Sequence, residues 1–182
     1  MLLHMLLAGF GGQGILFAGK VAAQVGMLKG KQVSWLPSYG PEMRGGTANC
    51  SVCIDDTPIG SPIVSEPQTL VVMNAPSFDK FSDKVKPGGL IVLDSSLIEK
   101  KSKRTDIDII SLPATEIAIN HGLDGFGNIV ILGAAMRATR FATIEELNDS
   151  IRHCVPGKKQ HLLQKNFQAI KLGFEYHNNS VL

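Results

Sequence analysis

From Leu2 to Phe10 almost every position is apolar, and the run stops in a cluster of glycines. An apolar run of this length, bounded by turn residues, predicts a strand buried on both faces. Ile15 to Leu28 follows, where Leu16, Ala18, Val21, Ala22 and Val25 stand among alanines and long aliphatic residues. That composition predicts a helix closing near Lys29-Gly30. β-branched and aromatic residues predict a second strand from Lys31 to Leu36, and a loop from Pro37 to Gly46 separates it from a third at Ala48 to Ile54. Asp55-Asp56 reads as a turn, with Ile59 and Ile63-Val64 expected in a short hairpin or edge strand. Thr69 to Met73 predicts the next strand, and Asn74-Ala75-Pro76-Ser77 opens a short helix through Phe78 and Phe81. Pro87-Gly88-Gly89 turns the chain into a strand at Leu90 to Leu93, and Asp108 to Leu112 predicts one more. Beyond it the pattern is helical: Ala114 to Asn120, Asn128 to Arg140, Ile144 to His153 and Gln160 to Tyr176.

Strands alternating with helices predict an α/β layered sandwich around a largely parallel or mixed sheet. Its first turn is Rossmann-like and glycine-rich, and its C-terminal third is helical. No linker, repeat or low-complexity tract divides the chain, so residues 1–182 are expected to form a single domain. Ligands of such sheets gather at the carboxyl ends of the strands, and both glycine-rich loops, Gly9–Gly14 and Pro37–Gly46, follow strands and are expected to meet there.

Composition narrows the function. Hydrophobic residues make up 44% and charged residues 19% of the 182, enough for a sizeable core. A formal charge of +2 without a basic stripe argues against nucleic acid, and the basic stretch Lys100 to Arg104 reads as a solvated loop. The apolar N-terminus lacks a basic region before it, and no run is long enough to span a bilayer, so a soluble, cytoplasmic protein without membrane contact is expected. Cys50 and Cys53 make a C-x-x-C, but on a strand residues three apart face opposite ways. With Cys154 they read as structural thiols, and none of the five histidines joins a metal or general-base cluster.

Gly9-Phe10-Gly11-Gly12-Gln13-Gly14 fits G-x-G-x-x-G between a strand and a helix. Glycines let the backbone approach a phosphate, while the helix start supplies N–H donors and positive potential. Dinucleotide binding also asks for an acid about twenty residues on, at the end of the second strand. Gln32 to Ser38 offers neither that acid nor an arginine for a 2′-phosphate, so NAD is disfavoured. Gly9, Gly11, Gly12, Gln13 and Gly14 then read either as a phosphate or CoA contact or as a tight turn against a partner chain. A nucleotide-binding Rossmann-like protein standing alone is the alternative.

Gly11 to Leu16 followed by Trp35-Leu36-Pro37-Ser38-Tyr39-Gly40-Pro41-Glu42-Met43-Arg44-Gly45-Gly46 resembles the γ subunit of the 2-oxoacid:ferredoxin oxidoreductases. The resemblance runs nearly the whole length, through Met73-Asn74-Ala75-Pro76-Ser77, Val85-Lys86-Pro87-Gly88-Gly89, Gly127-Asn128-Ile129, Gly133 and Asn166 to Gly173. Tyr39, Met43 and Gly46 make the loop more similar to the 2-oxoglutarate or branched-chain types than to the pyruvate type.

The resemblance implies an accessory chain of a complex that decarboxylates a 2-oxoacid on thiamine diphosphate and Mg²⁺. Electrons leave through iron–sulfur clusters to ferredoxin or flavodoxin, and an acyl-CoA is released. The thiamine belongs to α and β subunits and further clusters to a ferredoxin-like δ subunit, so no catalytic residue, metal or cofactor is expected on this chain alone. A homodimer contact is also compatible with it. Arg44 suits a phosphate or carboxylate, or an ion pair with Glu42 or a partner subunit. Tyr39, Glu42, Arg44 and Asn74 are the expected interface or substrate-proximal residues, with Trp35 a further aromatic anchor. Asn74 and Asn128 also read as turn or N-cap residues.

Overall fold

The computed structural model describes residues 3–39, 47–100 and 102–176. Six strands form one sheet: β1 (Leu3–Phe10), β2 (Gln32–Tyr39), β3 (Thr47–Asp55), β4 (Thr69–Val72), β5 (Leu90–Asp94) and β6 (Asp108–Leu112), in the order β2-β3-β1-β4-β5-β6. β1, β4, β5 and β6 are mutually parallel. β3 is antiparallel to both β1 and β2, so β2 runs in the direction of β1. The sheet is therefore mixed through a single reversed strand, and the α/β class is as expected.

Side chains alternate along each strand, which sends successive residues to two cores. On one face Met5, Leu7, Cys50, Val52, Ile54, Val71 and Val92 pack beneath most of the helices. These are α1 (Ile15–Leu28), α3 (Ala114–Asn120), α4 (Gly127–Ala138), α5 (Ile144–Cys154) and α6 (Leu163–Phe174). On the other, Leu6, Ala8, Cys53, Leu70, Val72, Ile91 and Leu93 pack against α2 (Ala75–Phe81), Val64 and Ile98. Both faces are covered, which explains why β1 and β4 read as unbroken apolar runs.

Four segments differ from the pattern-based expectation. Ile59 and Ile63-Val64 form no strand. Prolines at 58, 62 and 67 deny ladder donors there, and the Val64 N–H donates to Ser51 Oγ (3.1 Å) instead. β2 continues through Pro37 to Tyr39, three residues into the expected loop, because an edge strand tolerates a proline. α4 stops at Ala138, and Arg140 has a left-handed φ of 52°, which a continuing helix cannot hold. The last helix is broken into a 3₁₀ turn at Gly157–Leu162, with Lys159 off helical geometry, and then α6.

Candidate functional site

β1 and β2 end side by side with β3's start between them: Phe10 pairs with Thr47, and Tyr39 with Ala48. The described residues flanking 40–46 thus lie at the carboxyl edge of β1, where the glycine turn begins. Glu42, Met43 and Arg44 fall outside the described residues, as does the Tyr39 side chain.

The turn itself is held by two amides. Phe10 N–H donates to Gln13 Oε1 (2.5 Å), and Gln13 Nε2 donates to Met73 O (3.0 Å), whose own N–H reaches Ala8 O (3.0 Å). Asn128 Nδ2 donates to Gly14 O (2.9 Å), a carbonyl that also accepts the first helical bond from Ala18 N (3.0 Å). Asn128 is therefore no N-cap: it lies inside α4, and its partner is 114 residues away. Two glycines exist to admit these amides. A Cβ on Gly9 would meet Gln13 Oε1 at 2.7 Å, and one on Gly14 (φ 74°) would meet Asn128 Nδ2 at 2.5 Å. Gly12, by contrast, faces open space. Among the described residues no acceptor takes the N–H groups of Gly11, Gly12 or Gly14. α1 starts at Gly14 with no side-chain cap and no acid in its first turn. These exposed donors sit at the positive end of a 14-residue helix, a setting that favours an anion or a partner's carboxylate.

The neighbouring helix starts at this edge are closed. Asn74 Oδ1 caps α2 by accepting from Ser77 N (2.7 Å), while Asn74 Nδ2 and Ser77 Oγ are buried without a partner among the described residues. At α3 the cap comes from the adjacent strand. Asp94, fully buried at the end of β5, accepts from Thr115 N (3.1 Å), Thr115 Oγ1 (2.5 Å) and Ser96 N (3.0 Å). Sequence reasoning overlooked Asp94; its only local signal is an acid followed by two serines at the end of an apolar strand.

β3 lies between β1 and β2, which places the end of β2 two strand spacings, about 10 Å, from β1. A ribose-binding acid at that end would be displaced from the turn even if one were present, and nothing here favours the free-standing nucleotide-binding reading. The thiols are structural: Cys50 and Cys53 point to opposite cores, as strand alternation requires. Burial pushes Cys50 up to about 12 against a hydrogen bond from Trp35, and burial likewise raises Cys53 and Cys154, so all three stay protonated. Among the described residues no three His, Cys, Asp or Glu side chains gather as for a metal, and no helix is long and apolar enough to cross a membrane. A cavity of about 410 Å³ opens near the end of α1 and the start of α5. Of the charges lining it, Lys29 pairs with Glu146 (3.0 Å) and donates to Phe141 O (2.6 Å), and Arg137 donates to Phe174 O (2.8 Å).

Comparison with known proteins agrees with this architecture. A sequence model of the pyruvate ferredoxin/flavodoxin oxidoreductase family matches residues 4–176. The chain is 38% identical to ketoisovalerate oxidoreductase subunit VorA of Methanothermobacter marburgensis over 93% of its length, but spans only 35% of that relative. It is 36% identical to 2-oxoglutarate synthase subunit KorC of Methanocaldococcus jannaschii, covering 93% of this chain and 90% of the relative. The crystal structure of the γ subunit of keto/oxoacid ferredoxin oxidoreductase from Geobacter sulfurreducens superposes with a TM-score of 0.84 at 28% identity, over 96% of this chain and 95% of that one. The chain belongs to the pyruvate ferredoxin/flavodoxin oxidoreductase family, as a γ-type chain of the 2-oxoacid:ferredoxin oxidoreductases.

Proposed function

We propose that this chain is the accessory γ subunit of a cytoplasmic, thiamine diphosphate-dependent oxidoreductase acting on 2-oxoglutarate. The complex converts 2-oxoglutarate, CoA and oxidised ferredoxin or flavodoxin to succinyl-CoA, CO₂ and reduced acceptor. Companion α and β subunits hold the thiamine diphosphate and Mg²⁺ and do the decarboxylation, and a ferredoxin-like δ subunit carries electrons. The observation that carries this reading is the 36% identity to a 2-oxoglutarate synthase subunit over nearly the full length of both chains. A branched-chain 2-oxoacid is the second reading, favoured by the 38% identity to a ketoisovalerate oxidoreductase subunit.

This chain's part is to bind and orient. In the turn of Gly9, Gly11, Gly12, Gln13 and Gly14, the N–H groups of Gly11, Gly12 and Gly14, which have no acceptor among the described residues, fit the phosphates of CoA, or an acidic residue of a companion subunit. Tyr39, Glu42 and Arg44 are the further residues we assign to partner or substrate contact, with Arg44 as the charge best suited to a phosphate, while the buried Asn74 supports this edge by capping α2. Such contacts fix the geometry of the reacting molecules while the cofactor supplies the chemistry.

The test is reconstitution. The purified chain alone should reduce no viologen with any 2-oxoacid and CoA. With its companion subunits it should turn over, with kcat/KM highest for 2-oxoglutarate. Turnover by the lone chain refutes the accessory role, and a preference for 2-oxoisovalerate selects the second reading.

A further inference from the structure

We infer that the free edge of the sheet at β2, with Trp35, Leu36 and Ile63, is the surface on which a companion subunit docks. This rests on the reading of the chain as one subunit of a complex. β2 is an outer strand, so among the described residues one side of its backbone has no strand beside it. Leu36 pairs with Ser51, which pairs with Leu6 of the α2-side core. By alternation Leu36 lies on the α2 face and Trp35 on the α1 face. On the α1 face Trp35 stands against Gly19, where an added Cβ would come within 3.1 Å of the indole nitrogen. On the α2 face β3 is covered by the irregular segment 61–64: Cys53 Sγ reaches Ser61 O (3.8 Å), and the Val64 N–H meets Ser51 Oγ (3.1 Å). Ile63 protrudes from that segment. Trp35 is 36%, Leu36 38% and Ile63 65% exposed.

Charge sets this edge apart from ordinary surface. Neither β2 nor the segment 57–65 holds an Asp, Glu, Lys or Arg, although such residues make up 19% of the chain. Outer strands that stay in water are guarded by charged side chains or kept short. The other outer strand, β6, follows that rule: it has five residues and opens at the exposed Asp108. β2 has eight, and its depletion of charge around an aromatic anchor is the composition of an interface core. The occupant follows from the longer VorA relative, of which this chain spans 35%. There the same region is covalently joined to further polypeptide, which is held beside it at high effective concentration. A separate chain recovers such a neighbour by affinity, and buried apolar area at a charge-free edge supplies it. A second copy of this chain fits less well. A β2–β2 ladder about a two-fold axis would bring Pro37, which carries no N–H, into the seam from both sides.

The experiment compares Leu36→Lys and Ile63→Lys with the control Ile119→Lys, whose residue is 53% exposed on α3, the helix that follows β6 at the other edge. All three positions are exposed, so the urea midpoints of the free variants should match that of the parent chain. Affinity for the companion α and β chains is measured by titration in the analytical ultracentrifuge, and kcat at saturating companion chains. Trp35 is the chain's one tryptophan, so fluorotryptophan placed in this chain alone gives a single fluorine resonance, whose shift between H₂O and D₂O reports contact with water. Leu36→Lys and Ile63→Lys should each weaken assembly about tenfold or more. kcat of the saturated complex should stay within about twofold of the parent. Ile119→Lys should assemble normally, and the solvent shift at Trp35, present in the free chain, should vanish on assembly. If Leu36→Lys does not fold, Ile63→Lys and the fluorine resonance decide. A parent complex that assembles and turns over, while the lysine variants bind equally well and the solvent shift persists, overturns the inference and leaves the subunit reading standing. Failure of the parent chain to assemble with the companion chains overturns both. Dimers of the free chain that Leu36→Lys abolishes put a second copy on the edge and overturn the choice of occupant.

Discussion

Helices α1 and α5 begin in opposite ways. At the start of α5, Thr143 Oγ1 accepts from Glu146 N (3.3 Å) and Glu146 Oε2 accepts from Thr143 N (2.9 Å), with Glu145 and Glu146 both in the first turn. Every local device that satisfies a helix start is present. At the start of α1 there is a left-handed glycine, no side-chain cap and no acid in the first turn. Its neighbours at the same edge, α2 and α3, are capped by Asn74 and Asp94. The difference teaches that α1 starts open beside two capped neighbours, sharing with α4 and α6 the lack of a side-chain cap and of a first-turn acid. What holds α1 in place is stereochemistry and long-range amide contacts, while the N–H groups of Gly11, Gly12 and Gly14 have no acceptor among the described residues.

The sharpest way to break the contrast is to put a side chain where α1 depends on having none. Gly14→Val places a β-branched residue at φ 74° with its Cβ 2.5 Å from Asn128 Nδ2. Unfolding in urea should show a loss of about 2–4 kcal/mol, combining backbone strain with the displaced amide. A loss under about 1 kcal/mol would mean that the turn re-forms without its glycine. At the other start, Thr143→Ala removes an ordinary cap and should cost about 1 kcal/mol. In the assembled enzyme CoA kinetics should be untouched, since α5 begins beside Lys29 at the far end of α1. A raised CoA KM in that variant would erase the functional distinction between the two ends.

The smallest effect comes from charge. Burial pushes the Glu146 carboxyl up, but the Thr143 N–H and Lys29 outweigh it and hold it below its ordinary value of 4.5. A depressed folded value means a contribution to stability that is present above pH 4.5 and lost as pH falls through the lower folded value. Glu146→Gln keeps an acceptor for the Thr143 N–H, so at neutral pH it should cost only a few tenths of a kcal/mol, as for a partly exposed pair. Its acid-side decline, followed by thermal midpoint from pH 7 to pH 3, should be shallower than that of the parent chain. An identical decline would show that Lys29 and the cap do not favour the ionised form.

The same contrast explains what was legible in the sequence. Asn74 is a local signal, a polar residue ahead of a helix, as is Thr143, and apolar runs or β-branched and aromatic composition marked the strands. Asn128 looked equally like a cap, and nothing within α4 indicates that its amide reaches Gly14 in α1's turn. Nor does local pattern state that β3 inserts between β1 and β2, because strand order is settled by pairing between distant segments. Ile59 and Ile63-Val64 carried a strand-like composition, but the prolines around them and the Ser51 hydroxyl drew the backbone into a loop. The glycine turn was visible as a motif; its division into glycines that admit amides and glycines that face outward required the packed structure.

On the proposed function, the start of α1 is left open for a second molecule. Hydrogen exchange over residues 11–17 tests it most directly, compared between the free chain, the assembled complex and the complex with CoA, with residues 144–148 as the internal reference. Strong protection of 11–17 is expected on assembly or on CoA addition, with no change over 144–148. Exchange over 11–17 that is the same in all three states would contradict it.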